Sequence, residues 1–274
     1  TRYHQAKASL ASIDKLMSMP VERETGKKYI HRPTFKGAIE FKNISFSYPD
    51  QPIKALDNIS FKIKAGERVG FIGRIGSGKS SVEKLMMNLY QAQEGSILID
   101  GTDIRQLDPS DLRRQIGYVP QDISLMFGSV KDNITLGSRF ADDALILRAA
   151  EISGVTNFVN KHPAGFDLPV GERGSALSGG QRQSIAVARA LLLSPPIFIM
   201  DEPSNSMDNS TEEAFKQRFS NSLSSQSLIL VTHKASLLEL VDRLIVMDGS
   251  KIVADGEKAS VLNALKQGQI KVSG

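Results

Sequence analysis

Residues 73–80 have the composition and spacing of a loop that binds the phosphate groups of a nucleotide. They read GRIGSGKS and fit the pattern G-x-x-x-x-G-K-S/T, whose glycines let the backbone wrap so that consecutive N–H groups point inward. Lys79 is predicted to reach the β- and γ-phosphates, the Ser80 hydroxyl to ligate Mg²⁺, and Ser81 to donate to the α-phosphate. The predicted phosphate-binding residues are Gly73, Gly76, Ser77, Gly78, Lys79, Ser80 and Ser81.

Two carboxylates follow a second apolar segment of the chain. Residues 197–200 read IFIM, and Asp201 and Glu202 come directly after them. Beside a phosphate-binding loop, Asp201 is predicted to hold Mg²⁺, partly through water, and Glu202 to orient and deprotonate the attacking water. Acidic turns at strand ends are common, so this hypothesis depends on the phosphate loop elsewhere in the chain.

Residues 177–181 read LSGGQ and resemble the signature of the ATP-binding-cassette (ABC) ATPases. Their glycines expose backbone N–H groups, and Ser178 adds a hydroxyl at the start of a predicted helix, which is an arrangement that binds anions. The resemblance implies that this segment closes on the γ-phosphate of an ATP held by a second copy of the chain. Its predicted contacts are Ser178, Gly179, Gly180 and Gln181.

Four further residues match the ABC pattern in the family's order along the chain. The resemblance implies that Tyr48 stacks on adenine and that Gln121 both ligates Mg²⁺ and senses a transmembrane partner. It also implies that His233 contacts the γ-phosphate and assists catalysis, and that Asp208 belongs to the D-loop that approaches the nucleotide between two copies. The catalytic residues expected on this basis are Lys79, Gln121, Glu202 and His233.

Two segments point to the exporter branch of the family. Residues 168–174 read LPVGERG and resemble the exporter loop in which Glu172 meets the coupling helices of a transmembrane domain. Residues 1–24, the loop variant at 73–76 and residues 201–208, which read DEPSNSMD, look like the ATPases of bacterial type I secretion, which export large polypeptides. The chain departs from the common pattern at residues 204–208, which read SNSMD, and at Ser184, where many relatives carry Arg.

This resemblance implies a set of partners and a location. ATP and Mg²⁺ are expected to hold two copies together head to tail as a homodimer. The chain is expected at the cytoplasmic face of the bacterial inner membrane, joined to a transmembrane domain in the same polypeptide. A membrane-fusion protein and an outer-membrane channel are expected as further partners. An exporter of lipid, drug or small peptide stays open as an alternative.

Other classes of ABC protein fit the sequence less well. A DNA-repair or chromosome-type ATPase would carry a long coiled coil or cysteine-rich modules, and the segment between Lys79 and Leu177 has no heptads and no Cys. A separately encoded importer subunit would lack the N-terminal extension, and a translation factor would carry two cassettes. The net charge of 34 − 30 = +4 is mild and predicts no nucleic-acid partner. Because the sequence does not begin with Met, we expect it to belong to a longer chain.

Strands alternating with helices must position these residues. The pattern predicts an α/β sheet of largely parallel strands, with an antiparallel element near its start. The resemblance implies that this is a RecA-like P-loop NTPase core with an antiparallel β subdomain and an α-helical signature subdomain over about 120–190. Residues 1–36 are expected to form a helix, ended by Pro20, and a linker, and residues 37–274 the ATPase domain. Helices are predicted over 3–19, 80–90, 142–160, 182–193 and 257–267. Strands are predicted over 39–41, 44–48, 59–63, 69–72, 97–99, 116–119, 197–200, 228–231, 244–247 and 251–254.

Overall fold

Two β-sheets and the helices around them make up the structure, a computed structural model that describes residues 2–19, 21–23, 26–138 and 140–270. The strands are β1 (Ile39–Ser47), β2 (Lys54–Ile63), β3 (Arg68–Gly73), β4 (Glu94–Ile99), β5 (Thr102–Asp103), β6 (Ile116–Val119), β7 (Ile197–Asp201), β8 (Ser227–Val231), β9 (Arg243–Asp248) and β10 (Lys251–Glu257). The helices are α1 (Arg2–Met17), α2 (Lys79–Met86), α3 (Pro109–Arg114), α4 (Val130–Ile134), α5 (Asp143–Ser153), α6 (Thr156–Val159), α7 (Gly179–Leu191), α8 (Asn209–Ser222) and α9 (Lys258–Lys266).

The larger sheet has the strand order β10–β9–β3–β8–β7–β6. Its inner pairs are parallel, and β10 joins β9 as the predicted antiparallel hairpin. Every residue of β7 and β8 is buried, as expected for parallel strands covered on both faces. The carboxyl ends of β3, β8, β7 and β6 therefore meet at one edge of this sheet.

The smaller sheet, β2–β1–β4–β5, is antiparallel throughout and confirms the predicted β subdomain. Phe41 of β1 and Phe61 of β2 stack with ring centroids 4.4 Å apart. Phe61 also meets Phe71 of β3 edge to face at 5.4 Å, so one aromatic cluster joins the two sheets. This contact places β2 beside the strand that leads into the phosphate-binding loop.

Helices α4, α5 and α7 form a separate layer around a second apolar core. Ile134, Val155 and Ile185 are fully buried in this core, which continues onto β7 through Phe198. The predicted helical subdomain is therefore present, although its outer boundaries stay predictions. Of the described helices, none combines the length and the apolar character needed to cross a membrane.

The N-terminal segment forms the predicted helix but buries little of it. Leu10 and Leu16 on α1 are each 66% exposed. The following segment lies along the domain, since the Ile30 N–H donates to the carbonyl of Gln106 at 2.7 Å. Pro20, predicted to end the helix, lies outside the described residues, and the boundary at residue 36 stays a prediction.

Two predicted helices are shorter than the sequence pattern indicated. The segment 142–160 divides into α5 and α6 at Gly154, where φ is +84° and an added Cβ would lie 2.8 Å from Nη2 of Arg218. The helix predicted over 80–90 ends at Met86, because Asn88 adopts a left-handed conformation with φ of 53°. Glycine and asparagine commonly end helices in this way.

Helix α8 was not predicted from the sequence. Asp208 caps its N-terminus by accepting the Thr211 N–H at 2.8 Å. Its buried apolar side chains are Phe215 and Phe219, whose rings stack 5.5 Å apart. Two large apolar residues, with Ala214 beside the first, are too few among 14 residues to produce a visible helical periodicity.

Candidate functional site

A cleft of about 620 Å³ opens at the edge where the parallel strands end. Its volume is within the range of about 300–1,000 Å³ that is usual for small-molecule sites. Residues from six of the sequence motifs, among them Asn205 of the segment 204–208, line it together, although they are spread over much of the chain. The predicted site residues that line the cleft are Tyr48, Gly76, Gly78, Lys79, Ser80, Ser81, Gln121, Asp201, Glu202 and His233.

Two glycines of the phosphate-binding loop are required by its close packing. Gly73 has φ of +148°, and a Cβ there would lie 2.0 Å from the carbonyl oxygen of Met247. Gly78 has φ of +102°, and a Cβ there would lie 2.5 Å from the carbonyl oxygen of Ala55. Any side chain at either position would displace the loop from the β9 or β2 backbone.

Lys79 lies at the base of the loop and is largely buried. Its Nζ donates to the carbonyl oxygens of Gly73 at 2.6 Å and Arg74 at 2.8 Å, and to Ser77 Oγ at 3.4 Å. Burial lowers the pKa of this ammonium group, and the nearby carboxylates of Asp201 and others oppose that shift. A partly desolvated ammonium held mainly by neutral carbonyls is suited to exchange them for phosphate oxygens.

Ser80 and Asp201 bring together oxygen atoms suited to Mg²⁺. Ser80 Oγ donates to Oδ2 of Asp201 at 3.3 Å, linking the start of α2 to the end of β7. Burial raises the pKa of Asp201, while the bond from Ser80 lowers it. Gln121 lines the same cleft and adds an amide oxygen. A hydroxyl, a carboxylate and an amide, with phosphate oxygens, fit the oxygen preference of Mg²⁺.

Both carboxylate oxygens of Glu202 accept hydrogen bonds from neighbouring residues. The Thr232 hydroxyl donates to its Oε2 at 3.0 Å, and the His233 backbone N–H donates to its Oε1 at 2.7 Å. Its own backbone has φ of 48°, a conformation that costs about 1–3 kcal/mol for a residue other than glycine. These contacts fix the direction in which the Glu202 carboxylate points.

Tyr48 directly contacts helix α2, which follows the predicted phosphate-binding loop. Its hydroxyl and the Ser81 hydroxyl are 3.0 Å apart, within hydrogen-bond distance. Its ring meets Tyr90 edge to face at 5.1 Å, and Lys84 Nζ lies 5.2 Å from its centroid. Residues predicted to bind two different parts of ATP, the adenine and the α-phosphate, therefore touch each other in this structure.

The signature residues and Asp208 are not among the residues that line the cleft. Ser178 Oγ accepts the Gln181 N–H at 3.2 Å, and Gln181 Oε1 accepts the Ser178 N–H at 2.8 Å, which forms a capping box. This box explains why α7 begins at Gly179 rather than at the predicted residue 182. Asp208 caps α8, and hydrogen bonds from Ser210 and Thr211 lower its pKa to about 2.

Three polar residues near the cleft were not predicted from the sequence. Thr232 and Gln183 both donate to Glu202, one to its side chain and one to its backbone carbonyl. Glu83 on α2 is buried, which raises its pKa to about 9, and it accepts the Tyr118 hydroxyl at 3.4 Å. Thr232 could have been noticed beside His233, but Gln183 and Glu83 read as ordinary helix positions.

Comparisons with known proteins agree with this geometry. A profile of the family described as ABC transporter matches residues 56–205. The alpha-hemolysin translocation ATP-binding protein HlyB of Escherichia coli is 38% identical over 262 residues, which is 95% of this chain and 37% of that protein. The leukotoxin translocation ATP-binding protein LktB of Mannheimia haemolytica is 38% identical over 261 residues, which is 95% of this chain and 36% of that protein.

A solved structure agrees as well. The structure of a bacterial Atm1-family ABC exporter with ATP bound superposes with a TM-score of 0.87 at 31% sequence identity, covering 95% of this chain and 46% of that one. This chain spans little more than a third of the length of the curated relatives it matches.

Proposed function

The chain belongs to the ABC transporter family, and from this membership and the geometry of the cleft we propose that it is the ATP-hydrolysing domain of a bacterial exporter. One observation carries the proposal. Lys79, Asp201, Glu202 and His233 meet in one cleft, while Ser178 and its neighbours do not line it. A site of this kind holds the triphosphate in one copy and leaves the signature free for the nucleotide of another.

Each residue of the cleft has a defined task in this proposal. Lys79 exchanges the carbonyls of Gly73 and Arg74 for the β- and γ-phosphate oxygens. Ser80, Gln121 and Asp201 hold Mg²⁺, which neutralises phosphate charge when bound. The Glu202 carboxylate accepts the proton of the attacking water, and the imidazole of His233 donates to the γ-phosphate as charge develops there.

The complete site requires a second copy of the chain. The first turn of α7, which begins at Gly179, directs backbone N–H groups that have no acceptor within the helix towards its N-terminal end, and a helix N-terminus of this kind favours an anion. In a head-to-tail dimer this turn and the D-loop containing Asp208 close over the γ-phosphate bound by the partner. ATP then joins the two copies, and its hydrolysis lets them separate.

The relatives support type I secretion as the transport process. HlyB and LktB are named as translocation ATP-binding proteins for a hemolysin and a leukotoxin, and each aligns with 95% of this chain. We infer that the chain lies at the cytoplasmic face of the bacterial inner membrane and is joined to a transmembrane domain in the same polypeptide. A membrane-fusion protein and an outer-membrane channel are inferred as further partners. The similarity to an Atm1-family exporter supports a second candidate, export of a smaller substrate such as a lipid, drug or short peptide.

Hydrolysis by the chain and by its Glu202→Gln variant tests the proposal. We expect Mg²⁺-dependent ATP hydrolysis by the wild type, and turnover lower by at least about a hundredfold in the variant, the low end of a general base's contribution. The variant should still bind ATP and form a dimer in gel filtration. Glu213→Gln removes an exposed carboxylate on α8 and should retain wild-type turnover. A wild type without ATPase activity, or an active Glu202→Gln variant, would contradict the proposal.

A further inference from the structure

Gln183, two residues beyond the signature, joins two loops of the site with one buried side chain. Its Nε2 donates to the backbone carbonyl oxygen of Glu202 at 2.8 Å, and its Oε1 accepts the backbone N–H of Ser206 at 2.7 Å. The residue is only 1% exposed, so water does not compete for either bond. One neutral amide therefore serves both as a donor and as an acceptor.

The first bond supports a strained part of the backbone. Glu202 has φ of 48°, and a residue other than glycine keeps this conformation only when its surroundings hold it there. Its N–H donates to the carbonyl of Val231 at 2.9 Å, and its carbonyl accepts from Gln183. The peptide groups on both sides of Glu202 are thus fixed, and with them the direction of its carboxylate.

The second bond holds the D-loop against the beginning of α7. A Cβ added at Gly179 would lie 3.0 Å from Cβ of Ser206, and one at Gly180 would lie 3.1 Å from the Ser206 carbonyl oxygen. The signature glycines and Ser206 are therefore in close contact. The hydrogen bond from the Ser206 N–H to Gln183 fixes the distance between the D-loop and α7. The same amide connects the general base of one cleft to the turn that faces the nucleotide of the other.

We propose that Gln183 is a positioning residue for ATP hydrolysis, which holds Glu202 in its reactive pose and the D-loop against the signature helix. This inference rests on the proposed ATPase function. Turnover in one cleft then depends on the D-loop and the signature helix, which close the other cleft. The affinity of a cleft for its nucleotide does not depend on Gln183. A protonated carboxyl group can replace the amide, because it also donates and accepts, whereas a carboxylate would face the carbonyl oxygen of Glu202.

Two variants of the chain test this role through the pH profile of steady-state ATP hydrolysis. Gln183→Met fills the space without hydrogen bonds, and we expect an unchanged KM for ATP with kcat lower by about 10- to 100-fold, as for a displaced catalytic group. Gln183→Glu should approach the wild-type kcat near about pH 5.5 and lose it towards about pH 9, because burial favours the neutral carboxyl. The ionisable groups of the cleft are the same in the wild type and in every variant. An ionisation is therefore assigned to position 183 only if it is present in the pH profile of Gln183→Glu and absent from the other profiles.

Ser184→Ala is the matched control, because Ser184 is the next residue on α7, is also buried, and lies outside both bonds. It should keep the wild-type kcat, and thermal unfolding of each variant checks that it is folded. Wild-type kcat in a folded Gln183→Met variant, or a Gln183→Glu variant with no recovery at low pH, would overturn the inference. An inactive wild type would instead contradict the proposed function, so the two failures are distinguishable.

Discussion

His233 donates its backbone N–H to Oε1 of Glu202 at 2.7 Å. The residue predicted to contact the γ-phosphate therefore also holds the predicted general base, but through its main chain. The two tasks are separable, since a substitution at His233 removes the imidazole and leaves this bond in place. The residues that follow β8 thus supply both a hydrogen bond to the predicted base and the imidazole that is predicted to contact the phosphate.

His233→Ala tests the imidazole alone. The Glu202 carboxylate keeps its backbone donor in this variant, so ATP binding and the pose of the base should be preserved. We expect kcat to fall by about a hundredfold or more, the loss typical of removing one donor from a developing negative charge. Steady-state hydrolysis and titration of a fluorescent ATP analogue measure the two properties. His31→Ala, which alters a histidine paired with Asp111 away from the cleft, is the control, and normal turnover in His233→Ala would refute the role.

Thr232→Val tests the other support of the general base. This substitution removes the hydroxyl that donates to Oε2 of Glu202 and keeps the shape of the side chain. We expect kcat to fall about tenfold with little change in KM, because a hydrogen bond to a charged group contributes about 1.5–3 kcal/mol. Thr232→Ser retains the hydroxyl and should retain turnover. Equal rates in the Val and Ser variants would mean that this bond does not position the base.

Glu83 predicts a pH dependence of stability. Burial and the nearby Asp201 raise its pKa from 4.5 to about 9, against smaller opposing effects of Tyr118, Lys84 and Lys79. Between these values the folded chain binds more protons than the unfolded chain. The contribution of Glu83 to stability is therefore fully present below about pH 4.5 and decreases as the pH rises towards about 9, by at most about 1.4 kcal/mol per pH unit.

Glu83→Gln should remove this dependence, because the amide mimics the neutral acid. Urea unfolding at several pH values should show the variant gaining stability relative to the wild type as the pH rises. Glu213→Gln is the control, since Glu213 is exposed and its pKa is lowered by Lys216. Parallel pH profiles for the wild type and Glu83→Gln would show that Glu83 does not titrate in this window.

The residues proposed to bind phosphate, Mg²⁺ or the attacking water could be predicted from the sequence, and the residues that position them could not. Lys79 and Glu202 belong to short segments in which chemistry requires particular residue types at fixed spacing. Thr232 and Gln183 contact Glu202 because the fold brings β8 and α7 against the end of β7, and no local sequence pattern indicates that proximity. The sequence around Glu83 likewise indicates an exposed helix residue, and its burial is visible only in the structure.

The same distinction applies to the fold. The parallel core was predictable because its strands are continuous apolar segments, such as residues 197–200 and 228–231. Helix α8 was not predictable, because only Phe215 and Phe219 face the core. Its other contacts with the domain are polar. Glu212, for example, accepts hydrogen bonds from Ser204 at 2.6 Å and from Lys234 at 2.5 Å. Polar contacts of this kind leave no hydrophobic periodicity to detect.

The central claim, that each ATP site is completed by a second copy, is tested most directly by mixing two inactive variants. Lys79→Ala disables the phosphate loop, and Ser178→Arg blocks the signature turn, so each variant alone should be inactive. A mixed dimer combines the intact loop of one variant with the intact signature of the other. The account predicts that ATPase activity returns on mixing, up to about a quarter of the wild-type rate for independent sites in a symmetric dimer. A mixture no more active than its components, or a fully active Ser178→Arg variant, would contradict it.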